Sequence, residues 1–301
     1  MSELKVKFII NPASGKQVIQ RNMDRIIGGL ALERAITSID INFTTTRLDA
    51  KFFAQNTKKD EWDAIIVVGG DGTLNEVVSG VVESNNQVPI AILPAGTVND
   101  FASWLNIPSK IANYANMLKN NNRMKVDVGK VNNQHFINVA AGGLLTDVGY
   151  KASSDSKTVL GKLAYYVEGM KEIPKQMFRS LKIDIKSEEF CGQEDILMFL
   201  VTNTPTVGGF RKLAPKAKVD DGKFDVCIIK KSEITEVFSL LLRTMKGEHI
   251  HHPKVEYIQT SRIELKCLNN EEIELDIDGE QGSILPVTIE VIPRAVEIIV
   301  P

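Results

Sequence analysis

One short segment combines glycines with a carboxylate in a way that suits phosphate chemistry. Asp71 lies among glycines at positions 69, 70 and 72, directly after the apolar run Ala64–Val68. Glycines let a backbone turn sharply and approach a ligand, and the N–H groups of a helix start attract an anion. A carboxylate there repels phosphate unless a divalent cation lies between them. The segment therefore predicts a phosphate site with Mg²⁺, and the alternative is a tight turn in which Asp71 only caps the helix.

Two further loops repeat the pattern. Apolar strands precede both Asn11–Gly15 and Pro94–Thr97. Since the carboxyl ends of parallel strands meet at one edge of a sheet, where open α/β folds bind ligands, the three loops are expected to lie side by side. The first loop does not fit a Walker A motif, because Ile10 and Gln17 stand where that motif needs Gly and Ser or Thr. The chain is therefore not a P-loop ATPase.

The predicted secondary structure follows two different patterns along the chain, and the first of them carries these loops. Strands at Val6–Ile10, Ile39–Thr45, Ala64–Val68 and Ile90–Leu93 alternate with helical segments, which predicts a doubly wound α/β domain over 1–124. From 125 to 292 short alternating segments predict a β-rich sandwich domain. We expect 293–301 to form a C-terminal strand that could return to the first domain. Further strands and helices are predicted at Val126–Val131, Phe136–Ala140, Leu181–Lys186, Ile196–Thr202, Phe224–Lys230, Ile263–Cys267 and Ile273–Ile277, and at Thr158–Lys171 and Ile234–Lys246, respectively.

Composition narrows the class of protein. The 301 residues are 43% hydrophobic and 25% charged, with a net charge of −2, so no global basic field exists to hold nucleic acid. The three cysteines have no C-x-x-C spacing and predict neither a disulfide framework nor a zinc site. The first strand begins almost at the N-terminus, and no run approaches the roughly 18 apolar residues of a membrane helix. We therefore expect a cytoplasmic protein. If its substrate is a lipid, it must meet the bilayer from outside, as a peripheral protein.

The three loops also carry a family resemblance. The motifs NPASG, GGDGTLNE and PAGTVND, in this order and spacing, resemble the diacylglycerol kinase catalytic domain family, and most closely the soluble bacterial diacylglycerol and lipid kinases. GGDGT alone is shared with NAD kinases and phosphofructokinases, whereas the full set is highly specific. Further matches are VDVG at Val126–Gly129, FINVAAGG at Phe136–Gly143, LAPKAKVDDGKFDV at Leu213–Val226, GEHIHHPKV at Gly247–Val255 and DIDGE at Asp276–Glu280.

This resemblance implies a fold, an activity and a nucleotide site. It implies an N-terminal domain similar to NAD kinase and phosphofructokinase, a β-sandwich C-terminal domain and an active-site cleft between them. The implied activity is ATP-dependent transfer of the γ-phosphoryl group to the hydroxyl of diacylglycerol, giving phosphatidate in phospholipid metabolism. A homodimer is compatible with it. The implied nucleotide-binding residues are Asn11, Pro12, Ala13, Ser14, Gly15, Thr44, Gly70, Asp71, Gly72, Thr73, Leu74, Asn75, Glu76 and Thr97.

The catalytic acids come from the same resemblance. Glu280 matches the base near the acceptor hydroxyl, Asp278 lies beside it, and Asp71 completes the catalytic set. A positioned carboxylate can take the hydroxyl proton as the phosphoryl group transfers. Without the family, Asp278 and Gly279 would be interpreted as a hairpin turn.

Two Mg²⁺ ions are implied, one bound with ATP and one structural. The structural ion would be held by the side chain of Asp221 and by the backbone carbonyls of Lys218 and Lys223. Only one protein carboxylate would then touch the ion, as expected for a hydrated Mg²⁺, and the acidic spacing of an EF-hand is absent. Asp71 and Asp127 would connect this ion to the nucleotide site through water.

Two rival functions stay open. One is a soluble-substrate kinase of the NAD kinase type, against which the PAGTVND, LAPKAKVDDG and DGE matches argue. The other is a weakly catalytic nucleotide-binding regulator at the membrane. A broken acidic set would mark this regulator, yet Asp71, Asp127, Asp221, Asp278 and Glu280 are all present.

Four local features leave questions for the structure. The threonine implied by the family falls on Thr44, but Thr44–Thr46 is a run of three threonines, so the register is open. Leu48 stands where close relatives carry Gly. His249–His252 could suggest a metal, although a solvated loop is favoured. The basic and apolar stretch Lys151–Arg179 either contacts an anionic membrane or is an ordinary surface helix.

Overall fold

A computed structural model describes residues 3–15, 17–143, 180–269 and 271–301. The chain divides into two compact units. Unit 1 contains Met1–Val128 and Pro293–Pro301, and unit 2 contains Gly129–Ile292. The predicted helix at Thr158–Lys171 and the basic stretch Lys151–Arg179 lie outside the described residues. Within the described parts, no helix has the length and apolar content that crossing a membrane would require.

Unit 1 is built on a parallel sheet. Its strands β1 to β4 pair in the order β2-β1-β3-β4, and Ile298 near the C-terminus pairs in parallel with Ile90 at the β4 edge. From β1 the chain adds β2 on one side of the sheet and then β3 and β4 on the other side. The carboxyl ends of β1 and β3 therefore form a topological switch point. The strand bounds are Leu4–Ile10 for β1, Ile36–Phe43 for β2, Ala64–Gly69 for β3 and Ile90–Pro94 for β4.

Helices cover both faces of this sheet. On one face, Phe8, Ile66 and the buried sides of α1 and α5 form a common core. The helices α2 and α3 pack against each other and against β1 and β3. Every residue of β3 is buried, as a strand covered on both faces requires. The doubly wound prediction is therefore confirmed, with α1 at Met23–Leu32, α2 at Asp49–Gln55, α3 at Asp71–Ser84, α4 at Asp100–Trp104 and α5 at Ile111–Asn120.

Unit 2 is built from antiparallel strands. They pair in the order β14-β13-β7-β9-β8-β12-β15, and β10 pairs with β9 and β11. The described part of unit 2 also contains the helix α6 (Ile234–Lys246), which begins with a capping box and is followed by a 3₁₀ turn at His249–His251. The strands are β5 Asn122–Val131, β6 Gln134–Phe136, β7 Val139–Gly143, β8 Leu181–Ser187, β9 Cys191–Thr202, β10 Phe224–Lys230, β11 Val255–Thr260, β12 Arg262–Cys267, β13 Glu274–Ile277, β14 Glu280–Ile284 and β15 Val287–Val300, of which β5 and β15 run through both units.

Strands from both ends of this pairing order share one core. Phe199 of β9, Ile263 of β12 and Ile277 of β13 belong to the same buried cluster, and the rings of Phe136 and Phe224 lie 5.1 Å apart within it. A single core shared by distant strands is what a sandwich requires. The predicted β-rich second domain is thereby confirmed as a fold class.

Several elements differ from the predictions; β2, for example, spans Ile36–Phe43 instead of Ile39–Thr45. The strand predicted at Phe136–Ala140 is interrupted, because β6 ends at Phe136 and β7 begins only at Val139. The two linking residues turn their N–H groups toward a carboxylate, as described below. The segment Val255–Thr260 was not predicted, yet it pairs with β10 as β11.

Candidate active site

The loops after β1 and β3 are tied together at the switch point. Asn11 donates its backbone N–H to the carbonyl oxygen of Val68 (2.9 Å) and its Nδ2 amide to Thr73 Oγ1 (3.1 Å). Its Oδ1 accepts the N–H of Ala13 (3.0 Å), which closes the NPASG turn. Asn11 therefore fixes the first loop against the start of α3.

Glycine is required where the third loop joins them. Ala95 and Gly96 donate their N–H groups to the carbonyl oxygen of Gly69, at 2.8 and 3.2 Å. A Cβ on Gly96 would lie 2.4 Å from the Cα of Gly70, and one on Gly15 would lie 2.3 Å from the carbonyl oxygen of Ala95. Backbone cannot give way to such contacts, so bare backbone lines this edge of the sheet. A phosphate can approach backbone of this kind closely.

Asp71 lies at the start of α3, beside the start of α4. Its Oδ2 accepts the N–H of Asp100 at 3.3 Å. Burial raises the pKa of Asp71, while backbone N–H groups at Asp100, Phe101 and Asn99 act in the opposite direction. The carboxylate thus does cap a helix, but the helix is the neighbouring α4, and the capping ties two of the three loops together.

The threonine run after β2 is organised by Asp49. The Asp49 carboxylate accepts the N–H and hydroxyl groups of both Thr45 and Thr46 at 2.7 to 2.9 Å. These bonds hold the pKa of Asp49 well below its usual range. Thr44 instead donates its N–H to the carbonyl oxygen of Ile10 (2.8 Å), at the end of β1. Thr45 and Thr46 are therefore both bound to Asp49, whereas Thr44 is bound to the end of β1.

Leu48 adopts a backbone conformation that normally belongs to glycine. Its φ is +70°, and its side chain is half-exposed. Its N–H is donated to Glu76 Oε1 at 3.1 Å, so Glu76 of α3 holds this loop in place. A residue with a Cβ in this left-handed conformation carries backbone strain.

The first turns of α3 contain two different environments. Leu74 points into the core with 2% exposure, and its N–H is already bonded to the carbonyl oxygen of Gly70 (3.0 Å). Asn75 Oδ1 is buried and has no hydrogen-bond donor among the described residues. This oxygen is therefore a buried acceptor that the described part of the chain leaves unsatisfied. Of the other predicted nucleotide residues, Pro12, Ala13, Gly15 and Thr97 are exposed, and Ser14, Gly70 and Gly72 are half-buried.

Asp127 and Asn99 anchor backbone in unit 1. Asp127 is fully buried, and its Oδ1 accepts the N–H of Arg294 at 2.6 Å. The φ of Arg294 is +51°.

Asn99, which sequence reasoning missed, binds the backbone of Gly96 on both sides. Its Oδ1 accepts the Gly96 N–H (2.9 Å), and its Nδ2 donates to the Gly96 carbonyl oxygen (2.8 Å). Asn99 directly precedes α4 with a φ of +52°, a conformation that Asn adopts more readily than most residues.

In unit 2, the predicted acidic pair lies on a hairpin. Asp278 and Gly279 link β13 to β14, and both have positive φ values, +52° and +86°, as a tight two-residue turn requires. Asp278 is buried, and its carboxylate accepts the N–H groups of Ile137 (2.7 Å), Asn138 (3.0 Å) and Val139 (2.8 Å). Glu280 follows the turn and is exposed. The two carboxylates therefore have different environments, and the hairpin interpretation holds together with the family match.

The DDG segment forms an exposed turn. Asp221 Oδ1 accepts the N–H of Lys223 at 3.1 Å, and Gly222 between them has a φ of +72°. Lys218, Asp221 and Lys223 are all exposed. Among the described residues, no group of three or more His, Cys, Asp or Glu side chains could hold a metal.

Sequence reasoning missed a buried carboxylate beside this turn. Asp225 accepts a short hydrogen bond from the Tyr257 hydroxyl and a longer one from Gln259 Nε2 (3.4 Å). Burial raises the pKa of Asp225 against these bonds, and the charge of Asp221 raises it further. The only sequence signal was the alternation in Phe224–Lys230, which placed Asp225 on a strand without indicating its partner.

The solvated-loop prediction is wrong for His249. This side chain is 3% exposed, and its Nε2 lies 2.8 Å from the carbonyl oxygen of Leu213. Burial lowers the pKa of His249, so the neutral ring donates Nε2–H to that oxygen. His251 is exposed, as predicted. The buried ring ties the segment after α6 to the loop that leads to the DDG turn.

Comparison with known proteins agrees with this arrangement. Residues 5–131 match the family model described as the diacylglycerol kinase catalytic domain, and residues 139–300 match the YegS C-terminal NAD kinase beta sandwich-like domain. The chain is 38% identical to the diacylglycerol kinase of Staphylococcus haemolyticus, over 98% of this chain and 88% of the relative. It is 36% identical to the diacylglycerol kinase of Bacillus subtilis, over 99% and 96% of the two chains.

A solved structure extends the similarity to the fold. The crystal structure of a diacylglycerol kinase from Bacillus anthracis str. Sterne superposes with a TM-score of 0.80 at 27% identity, covering 100% of this chain and 99% of that chain. The matches span both units and include the motifs that carry the loops described above. The chain belongs to the diacylglycerol kinase family and is a kinase.

Proposed function

We propose that this enzyme transfers the γ-phosphoryl group of ATP to the free hydroxyl of diacylglycerol and so produces phosphatidate. The observation that carries the proposal is the junction of three backbone loops at the β1/β3 switch point. There, Gly96 packs too closely on Gly70 to carry a side chain, so a phosphate would meet bare backbone, and a half-buried Asp71 lies beside it. The names of the relatives support a lipid as the acceptor.

The nucleotide would lie on unit 1. The glycine junction would receive the phosphates, with Thr44, Thr73 and Thr97 around it. Asn75 Oδ1 is a buried acceptor that lacks a donor in the described chain, and a hydroxyl or amino group of a nucleoside would satisfy it. The residues present therefore fit a nucleotide.

A divalent cation fits the same place. Asp71 puts a carboxylate at a site that otherwise favours anions, which is a suitable arrangement only if a cation offsets the repulsion. When bound, Mg²⁺ would neutralise part of the charge that develops on the transferring phosphoryl group. Asp71, held by the start of α4, would orient this charge, and Asp127 would extend the network.

Glu280 would act as the base. The hydroxyl oxygen of the lipid forms a bond to the γ-phosphorus, the bond from that phosphorus to the β–γ bridging oxygen breaks, and ADP leaves. The hydroxyl proton passes to the Glu280 carboxylate, which is exposed and follows directly on the anchored hairpin turn. Asp278 is a poor proton acceptor by comparison, since three backbone N–H groups already occupy its oxygens.

A structural Mg²⁺ would be bound by the DDG turn. The donors would be the Asp221 carboxylate and the carbonyl oxygens of Lys218 and Lys223, with water completing the shell. All three residues are exposed, and the turn is already closed by the bond from the Lys223 N–H to Asp221. Hard oxygen donors with a single carboxylate suit Mg²⁺ better than Zn²⁺.

We further propose a cytoplasmic enzyme that meets its lipid transiently at a membrane surface and could act as a homodimer. A net charge of −2 gives no overall attraction to an anionic bilayer, so any electrostatic attraction must be local. Activity on diacylglycerol in vesicles should then fall with added salt, whereas activity on a short-chain soluble diacylglycerol should change little. Equal salt responses would contradict a local electrostatic attraction to the membrane surface.

The acceptor is tested by a substrate screen. Purified protein is incubated with ATP and Mg²⁺ and, in separate reactions, with diacylglycerol, monoacylglycerol, ceramide, sphingosine or NAD. The proposal predicts the highest kcat/KM for diacylglycerol. Preference for NAD would assign the chain to the soluble-substrate rival, and preference for a sphingoid lipid would change the acceptor while keeping the class.

A further inference from the structure

The turn that precedes Glu280 is held from outside the hairpin. Asp278 has a left-handed backbone, and it donates its own N–H to the carbonyl oxygen of Val139 (2.9 Å) while its carboxylate accepts the Ile137, Asn138 and Val139 N–H groups. One short segment therefore grips both the backbone and the side chain of Asp278. Because Glu280 is only two residues further on, the geometry of this grip sets where the Glu280 side chain begins.

The gripping segment is itself a two-residue link that belongs to no strand. It joins β6 to β7, and three consecutive N–H groups can converge on one carboxylate only if the link keeps a fixed bend. Both of its carbonyl oxygens are bound by Asn203: Ile137 O accepts the Nδ2 amide (2.9 Å) and Asn138 O accepts the backbone N–H (2.9 Å). Asn203 thus holds the two carbonyl groups of the link, whereas Asp278 binds its N–H groups.

The side chain of Asn138 completes this fixation. Its Nδ2 donates to the carbonyl oxygen of Thr206 (3.2 Å), and its Oδ1 accepts the hydroxyl of Thr204. Asn138 is 4% exposed, and Thr204 is fully buried. A buried amide whose oxygen and nitrogen are both satisfied has one defined orientation. The backbone N–H of this same residue is one of the three that bind Asp278.

We infer that Asn138 is a positioning residue for catalysis, which fixes the N–H groups that grip Asp278 and thereby aims Glu280. The inference rests on the proposed function, in which Glu280 is the base. Asn138 does not touch the reacting atoms. It acts through Asp278, whose carboxylate is an anchor and not a second base.

The main test combines Asn138→Ala with Glu280→Gln. Alone, Asn138→Ala should lower kcat by about 10- to 100-fold, because small misplacements of a catalytic group have effects of this size. The KM for ATP should be unchanged, since the proposed nucleotide residues belong to the other compact unit. In the Glu280→Gln background, Asn138→Ala should cause no further loss of kcat, because no base remains to be aimed.

A second variant and a control complete the design. Thr204→Val keeps the side-chain shape and removes the hydroxyl that binds Asn138, so it should reproduce the effect even if Asn138→Ala does not fold. The control is Asn132→Ala, since Asn132 Oδ1 accepts the Thr288 N–H (3.1 Å) in the same unit without contacting the hairpin. Its kcat should match the wild type.

The outcomes separate this inference from the proposed function. An equal fall of kcat in the wild-type and Glu280→Gln backgrounds would show a merely structural role and overturn the inference. Normal kcat in Asn138→Ala or Thr204→Val beside an impaired Glu280→Gln would overturn it alone. Normal kcat in Glu280→Gln would remove the base from the proposed function, and this inference with it.

Discussion

Leu48 offers a direct test of the loop that follows β2. Its backbone is left-handed, which costs a residue with a Cβ about 1–2 kcal/mol. Glycine avoids this cost but loses about 0.5–1 kcal/mol through the extra freedom of the unfolded chain. Leu48→Gly should therefore be about 0.5–1 kcal/mol more stable than Leu48→Ala. Comparing these two variants with each other cancels the contacts of the leucine side chain, which is 54% exposed.

Urea unfolding followed by tryptophan fluorescence measures this difference. Both tryptophans, Trp62 and Trp104, belong to unit 1, so the signal reports the unit that contains the loop. The matched control is the exposed Asn116 within α5, where the order should reverse and Gly should be less stable than Ala by about 0.5–1 kcal/mol. If Ala is the more stable residue at position 48 as well, the left-handed conformation of Leu48 is refuted.

The remaining predictions concern three polar groups. Asp71→Asn should lower kcat at least about 100-fold without unfolding the protein, because electrostatic positioning carries phosphoryl transfer, and near-normal kcat in a folded variant would refute its role. Asp221→Ala should reduce the rise in melting temperature caused by Mg²⁺, whereas Asp220→Ala should not; an unchanged Mg²⁺ response would remove the proposed metal site. Because burial lowers the pKa of His249, the unfolded chain binds a proton before the folded one, so the free energy of unfolding should decrease as pH falls below the ordinary value of 6.5. Urea unfolding of His249→Gln should show a weaker decrease, and the exposed His251→Gln should behave like the wild type; equal pH profiles for both would contradict the burial of His249.

The features that could be predicted from sequence are those with a local signal. Ala64–Val68 is apolar and β-branched, and the glycines that follow it have few structural uses besides a close backbone approach. Such patterns define parallel strands and the loops at their ends, and the parallel sheet then brings the loops together. The turn at Asp278 and Gly279 also had a local signal, since this dipeptide favours a tight hairpin.

The contacts that could not be predicted join residues far apart in the chain. Asp278 binds the N–H of Val139 across 139 positions, Tyr257 binds Asp225 across 32, and His249 binds Leu213 across 36. Nothing in the neighbourhood of either partner indicates the other, because the pairing depends on strand order and on which side chains become buried. The interruption of the strand predicted at Phe136–Ala140 has the same origin, since its cause is a carboxylate from another hairpin.

The proposed phosphoryl transfer is tested most directly by following the γ-phosphate. Purified wild-type protein and Glu280→Gln are incubated with Mg²⁺, diacylglycerol in mixed micelles and ATP labelled in the γ position, and the lipid products are separated. The account predicts labelled phosphatidate from the wild type and a rate lower by about 100-fold or more from Glu280→Gln, the loss expected for a general base. Absence of labelled phosphatidate with the folded wild-type protein, or equal rates from the two proteins, would contradict it.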